Sequence, residues 1–257
     1  LMAMSSGGTT TSFTYDDWGR QVSKYDGTYA ADYAHRYDDK LHTVTSDFPT
    51  EGTMTNDYDG EGKLRSIVTG GSTQKLRWDA GWHMINREDG DGALTDTFVN
   101  DPAFEAAGSV LAVHVGSDPA SGGAWNYFAQ DIIRSTRGIY GDNKSQLAAT
   151  EFTPYGSIYA TTGTTLPQTY TGHYWLPEAN MHYAPYRMYS PGQARWSMRD
   201  PLGLWAGPNP YSYVSKNPIL FFDPDGRLRL NICNNGKDKA MENDPDFDGR
   251  NDKYKHC

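Results

Sequence analysis

Residues 199–226 read Arg-Asp-Pro-Leu-Gly-Leu-Trp-Ala-Gly-Pro-Asn-Pro-Tyr-Ser-Tyr-Val-Ser-Lys-Asn-Pro-Ile-Leu-Phe-Phe-Asp-Pro-Asp-Gly. Two Asp-Pro-x-Gly turns, Asp200–Gly203 and Asp223–Gly226, bracket this stretch. Proline presets φ after each aspartate, the aspartate side chain can cap the turn, and glycine takes the positive-φ position. Between the turns, Tyr211, Tyr213 and Val214, then Ile219 to Phe222, supply strand formers. This is the chemistry of turn-dense β structure. No helical periodicity of useful length appears before residue 230.

Working toward the N-terminus, a second signal is an internal repeat. Tyr15-Asp16-Asp17-Trp18-Gly19-Arg20 recurs loosely as Tyr37-Asp38-Asp39-Lys40-Leu41, Tyr58-Asp59-Gly60-Glu61-Gly62-Lys63-Leu64 and Trp78-Asp79-Ala80-Gly81-Trp82. Each unit joins an aromatic at a strand end to an aspartate turn and a following strand such as Leu64–Val68, which describes a β-hairpin. A hairpin of this size cannot bury its own face, so units must stack side by side. Degenerate hairpins continue through Asn126–Phe128, Asp131–Tyr140 and Phe152–Ser157, with a loop over 116–124. The predicted fold is all-β, with hairpins over 1–165 forming part of a rolled sheet, a turn-dense β segment over 166–228 and a polar, acidic tail over 229–257.

Composition fits that reading. In 257 residues only 37% are hydrophobic, whereas tyrosine (18) and tryptophan (7) are abundant, and these rings suit half-buried strands. The net charge of −9 and the lack of a basic cluster exclude nucleic acid as an expected partner. The longest apolar run, Val110–Val115, is interrupted by His114 and is far too short to span a bilayer. Leu1–Met4 lacks the basic and apolar regions of a signal peptide. The chain opens on Leu1, so it is expected to be a segment of a longer one.

The spacing of 199–226 resembles the core domain associated with RHS repeats, and the hairpin unit resembles the YD repeat of the same bacterial family. The match extends upstream through Tyr170-Thr171-Gly172, Tyr183-Ala184-Pro185-Tyr186-Arg187-Met188-Tyr189-Ser190-Pro191 and Arg195-Trp196. The resemblance implies a secreted or surface-exposed scaffold in which the hairpins over 1–165 build part of a shell wall and a spiral β core over 166–228 is its plug, enclosing or presenting a variable C-terminal segment. Its expected partners are its own C-terminal cargo or neighbouring YD repeats of a longer chain. An adhesion or carbohydrate-binding role is a further alternative.

Family members that carry a C-terminal toxin have a core similar to an aspartyl-type autoprotease, which cuts after the second Asp-Pro-x-Gly-Leu. On that resemblance Arg199 and Asp200 match the Arg-Asp-Pro element, and Asp223 is either a turn former or the partner carboxylate. Two aspartates held close cannot both ionise, so one can donate a proton while the other activates water. Arg227 stands where cleaving members have leucine. An arginine in an apolar pocket would bury a charge or leave the pocket, so the expectation is an intact chain.

The tail holds Asp244-Pro245-Asp246-Phe247-Asp248-Gly249-Arg250-Asn251-Asp252. Side-chain oxygens of Asp244, Asp246, Asp248 and Asp252, with the Arg250 carbonyl, reproduce the spacing of a calcium loop, although Lys255 replaces the usual acidic residue at its end. Cys233 and Cys257 flank this loop and form a candidate extracellular disulfide. His114, His173 and His182 lack metal-ligand spacing and read as strand residues.

Overall fold

The computed structural model describes residues 2–6, 9–47, 52–102, 108–120, 122–163, 167–227 and 229–232. Fifteen strands follow one another in a single antiparallel sheet: β1 (Met2–Ser6), β2 (Thr9–Tyr15), β3 (Gln21–Tyr25), β4 (Ala30–His35), β5 (Leu41–Ser46), β6 (Gly52–Tyr58), β7 (Leu64–Thr69), β8 (Ser72–Trp78), β9 (Met84–Asp89), β10 (Leu94–Asn100), β11 (Val110–Val115), β12 (Ala124–Gln130), β13 (Thr136–Gly141), β14 (Gln146–Phe152) and β15 (Ile158–Gly163). Each strand pairs with its sequence neighbours, as a chain of short hairpins dictates. The fold is all-β. The helical segments among the described residues are short 3-10 turns.

One turn recurs along the sheet. Asp16 N–H donates to Arg20 O (3.0 Å) and Gly19 N–H to Asp16 O (2.9 Å), and the same bond pair closes Asp59–Lys63, Asp79–His83, Asp89–Ala93, Asp131–Ser135 and Thr153–Ser157. The fourth residue of each turn has positive φ, which explains the glycines at 19, 62, 92 and 156 and makes Trp82 (66°) and Arg134 (65°) exceptions. The aspartate side chain completes the turn: Asp59 Oδ1 accepts from Glu61 N–H and Lys63 N–H, both at 2.9 Å. A bulge just before Tyr15, Tyr58 and Trp78 sets the register of their hairpins.

The second unit departs from the sequence reading. Its bulge falls between Ala34 and His35, so His35-Arg36 occupies the Tyr-Asp slot. Arg36 N–H bonds Lys40 O at 2.8 Å, and Asp39 takes the positive-φ position. Tyr37, expected at a place equivalent to Tyr15, Tyr58 and Trp78, lies in the turn and is 93% exposed. An adjacent Tyr-Asp pair misled the reading by two residues.

After the sheet, the chain folds back onto one of its faces as a plug. Strands β16 (Tyr174–Leu176), β17 (Met181–Tyr183), β18 (Met188–Ser190) and β19 (Arg195–Trp196) form a small antiparallel sheet, and β20 (Phe221–Phe222) pairs with β21 (Leu230–Asn231). Leu230 and Asn231, read from sequence as the start of the polar tail, are therefore tied to the plug, with Leu230 buried against Phe222. The main core joins wall to plug: Leu41, Val44, Met54, Leu64, Leu76 and Val113 pack with Tyr174, Leu176, Met181, Tyr183 and Met188. Tyrosine hydroxyls stitch the seam. Leu64 N–H donates to Tyr183 Oη at 2.9 Å, and Tyr33 Oη–H donates to Ala179 O at 3.2 Å. A second, aromatic core of Tyr170, Tyr189, Trp196 and Tyr213 fills the plug beside Phe152 of the wall.

Candidate functional site

Asp200 and Asp223 each open their Asp-Pro turn in the expected way. Asp200 Oδ1 accepts from Leu202 N–H at 2.9 Å, and Asp223 Oδ1 accepts from Gly226 N–H at 2.8 Å. Their other oxygens converge. Asp200 Oδ2 lies 2.8 Å and Asp223 Oδ2 3.4 Å from the same Nη2 of Arg187. All three side chains are almost fully buried, with Arg187 2% exposed and each aspartate 4%. Capping and pairing are thus divided between the two oxygens of each carboxylate.

Arg187 sits in the tight connection between β17 and β18, where Ala184 N–H bonds Arg187 O at 3.0 Å. Its guanidinium lies 4.3 Å from the ring centre of Trp196, Nη1 donates to Pro210 O at 3.2 Å, and Nε donates to Gly226 O. The sequence reading quoted this arginine within a motif but assigned it no role. The only clue was a cation inside an otherwise aromatic and apolar run. Arg199, the arginine matched from sequence, stands apart on the surface: its Nε donates to Tyr211 Oη at 3.3 Å and its guanidinium lies over Trp18.

The electrostatics follow from burial. Removal from water, aided by the nearby Asp225 charge, pushes the Asp223 carboxyl up to about 7 against the opposing pull of Arg187. Burial pulls Arg187 below its ordinary range, while Asp223, Asp200 and Asp225 hold it up. His173 Nε2 lies 2.8 Å from the Asp223 carbonyl, and burial pushes this imidazole down to about 4. His182 is pushed down to about 3 by burial, with His173 adding to the effect. His114 lies on β11 with its ring against Trp125. Among the described residues no group of three or more His, Cys, Asp or Glu is placed to hold a metal ion.

The Gly226–Arg227 peptide is held from both sides. Its carbonyl accepts from Arg187 Nε–H, and its N–H faces Asp223 Oδ1 at 3.1 Å and Asp225 Oδ1 at 2.9 Å. Gly226 has φ of +84°, and an added Cβ would lie 3.2 Å from Arg187 N, so glycine suits both conformation and space. The Arg227 side chain does not enter an apolar pocket. It pairs with Asp225 at 3.0 Å and stacks 3.8 Å from the Tyr186 ring centre. The tail positions Asp244, Asp246, Asp248, Arg250 and Asp252, together with Cys233 and Cys257, lie outside the described residues.

Elsewhere a cleft of about 490 Å³ opens in the seam between wall and plug, lined by Gln74, Arg87, Glu88, Tyr174, Trp175 and Glu178 among others. None of the three central charges lines it. Among the described residues no helix is long and apolar enough to cross a membrane.

No family model matches the chain. It is similar to a protein named toxin protein Tse5 from Pseudomonas aeruginosa, with 43% identity over 62 residues, 24% of this chain and 5% of that protein. It is also similar to double-stranded DNA deaminase toxin A of Burkholderia cenocepacia, with 26% identity over 223 residues, 84% of this chain and 14% of that protein. The chain therefore spans only a small part of these relatives. Among solved structures, TcdB2-TccC3 superposes with a TM-score of 0.58 at 17% identity, covering 85% of this chain and 14% of that one. The Tc holotoxin pore of Photorhabdus luminescens gives 0.59 at 16% identity, covering 86% and 13%. At these identities the likeness is one of fold.

Proposed function

We propose that the chain is a wall-and-plug segment of an RHS-type shell, secreted or surface-exposed, that encloses or presents the chain beyond residue 232. The observation that carries this reading is the burial of one sheet face by a plug to which β21, the last described strand, is still tied. Toxin names among the similar proteins and the fold shared with Tc structures support a toxin-related scaffold. Limited proteolysis of the full-length protein tests it. Residues beyond 232 should resist protease while the shell is intact and become sensitive at denaturant concentrations that open it. Equal sensitivity throughout would count against enclosure.

The clamp on the Gly226–Arg227 peptide favours a second activity of the same scaffold, scission of its own chain there, one bond before the position at which the resembling members cut. In this reading Asp200 takes a proton from water, and the water oxygen bonds to the Gly226 carbonyl carbon. The carbonyl electron pair moves to the oxygen facing Arg187 Nε–H, a fixed cationic donor. As C=O re-forms the C–N bond breaks, and protonated Asp223 gives its proton to the leaving nitrogen. The products are the Gly226 carboxyl and the Arg227 amine, with Asp200 protonated and Asp223 ionised. Since Arg227 is seated on Tyr186 and Asp225, the missing leucine no longer argues against cleavage on grounds of a buried charge. Intact mass decides: the wild type should yield two pieces split at Gly226–Arg227, and Asp200→Asn one. A single uncut mass for both would reject self-cleavage.

A further inference from the structure

The wall's turns meet their neighbours through cations. The fifth residue of a turn is basic at Arg20, Lys40 and Lys63, and each of these reaches the fourth residue of the next turn. Arg20 Nη1 lies 2.8 Å from Asp39 Oδ1 and donates to Arg36 O at 3.3 Å. Lys40 lies with Cε 2.7 Å from where a Cβ on Gly62 would be, and its Nζ is 5.4 Å from the ring centre of Tyr58. Lys63 Nζ is 5.2 Å from the ring centre of Trp82 and donates to Asp79 O at 2.9 Å. The series stops there, because His83 faces Asp79 Oδ2 of its own turn at 2.9 Å.

Asp16–Arg20 follows no such turn among the described residues, yet its receiving face is filled from the plug. Arg195 of β19 holds its guanidinium 4.9 Å from the ring centre of Tyr15 and donates from Nη2 to Gly19 O at 3.4 Å. Tyr15 precedes its turn as Tyr58 precedes the turn that Lys40 meets, and Gly19 is the fourth residue. Tyr211 completes the likeness. Its ring centre lies 4.4 Å from the same guanidinium, and its Oη–H donates to Trp18 O at 2.5 Å. That oxygen also stands 2.5 Å from where a Cβ on Gly19 would be, as the Lys40 stem does at Gly62.

We propose that the rim of turns is a directional interaction surface for cations, and that the plug docks on it by supplying Arg195 to the first turn, in the place a preceding hairpin's lysine or arginine would take. Neither enclosure nor self-cleavage is needed for this contact. A turn carbonyl and an aromatic face both carry negative potential, and their meeting point suits a cation on a long apolar stem. Backbone pairing cannot seat the plug on this hairpin, since β19 belongs to another sheet. A side-chain contact borrowed from the wall can.

The test is hydrogen exchange of the full chain at the amides that close each turn, resolved by nuclear magnetic resonance. Arg195→Gln should quicken exchange at Asp16 and Gly19 about fivefold, the scale of a lost cation–aromatic contact, and leave Asp59 and Gly62 unchanged. Lys63→Gln should quicken Asp79 and Trp82 similarly, with Asp39 in the earlier turn unchanged. Arg195→Lys supplies the cation the wall itself uses at 40 and 63, so it should keep most of the protection at Asp16 and Gly19 and shows that Arg195→Gln is not merely misfolded. Unchanged exchange at Asp16 and Gly19 in Arg195→Gln overturns the docking role, and a lysine no better than glutamine overturns the equivalence with the wall. Quickening in earlier and later turns alike would mean general loosening and overturns the direction.

Discussion

Acidification should loosen the plug through its two buried histidines. His173 and His182 lie with ring centres 6.3 Å apart among Tyr170, Tyr189, Trp175 and Trp196. Each has a backbone carbonyl at Nε2, Asp223 O at 2.8 Å and Gly156 O at 3.2 Å, which requires the N–H there. Each has a threonine hydroxyl at Nδ1, Thr171 at 3.2 Å and Thr169 at 3.1 Å, and the hydroxyl can donate to it. Both rings are thus satisfied as neutral imidazoles, and burial holds them at about 4 and about 3. Because the folded values lie below the ordinary 6.5, the unfolded chain binds more protons once pH drops under 6.5. The stabilisation is complete above that pH and is lost as pH falls toward 4 and 3.

Asp223 opposes this change. Its folded value of about 7 exceeds its ordinary 3.8, so the folded state keeps a proton that the unfolded chain releases, and stability rises as pH falls through 7. Between pH 7 and pH 5 each histidine loses about 2 kcal/mol and Asp223 returns about 2 kcal/mol. The histidines win by about 2 kcal/mol, and His35 in the wall, pushed down to about 4 chiefly by burial, adds to the loss. Urea midpoints read by near-ultraviolet circular dichroism at the two pH values measure the sum. His173→Gln with His182→Gln should remove most of the plug's share, and Asp223→Asn should deepen the loss on acidification. A double histidine variant that keeps the full pH dependence would refute the reasoning.

Three other perturbations follow from single contacts. Arg187→Met leaves Asp200 and Asp223 buried without their cation and should cost about 3–5 kcal/mol in denaturant melts, with Arg187→Lys intermediate. Gly172→Ala meets a positive φ of 75° and places a Cβ against the Gly108 backbone, so its melting temperature should fall sharply, while Gly192→Ala, with open space around it, should be nearly silent. In the tail, calorimetry of the oxidised full chain should show calcium binding near the millimolar range, with a thiol assay finding no free Cys233 or Cys257. Two free thiols and no heat would leave the acidic run without a ligand.

Much of the wall was legible because its information is local. The aspartate that caps a turn, the glycine three residues on and the aromatic before it all lie within one hairpin, and Tyr15, Tyr58 and Trp78 end their strands as read. The failure at Tyr37 shows the limit. Backbone bonds close the turn at Arg36, with Asp38 Oδ1 accepting from Lys40 N–H at 3.5 Å, and Asp39 tolerates the positive φ, so the slot carries neither tyrosine nor glycine there. The site was legible only in halves. Asp200 and Asp223 announce themselves through proline and glycine neighbours, but their shared nitrogen comes from a turn between two three-residue strands elsewhere in the chain. No local rule distinguishes Arg187 from Arg199. Tertiary burial does.

That burial is a joint product of wall and plug. The plug's own strands are two or three residues long, below the length at which a small sheet is stable alone. The wall has the reverse difficulty: Val44, Met54, Leu64, Leu76 and Val113, at most 2% exposed, share one core with the plug that lies over them. Each such side chain left in water would forfeit roughly 1.5–3 kcal/mol. The buried guanidinium depends on the same closure, since two carboxylates and one cation are favourable out of water only when every partner is fixed. The plug fixes Arg187 through Trp196 and the carbonyls of Pro210 and Gly226, and the wall fixes the adjoining turn through Trp82 on Tyr186. Removing the Trp82 indole should therefore alter the surroundings of Gly226–Arg227 without touching either aspartate. Hydrogen exchange at residues 226 and 227 in Trp82→Gly is expected to quicken while exchange in β13 and β14 stays unchanged. An unaltered exchange rate at 226 and 227 would mean that the plug holds this peptide by itself.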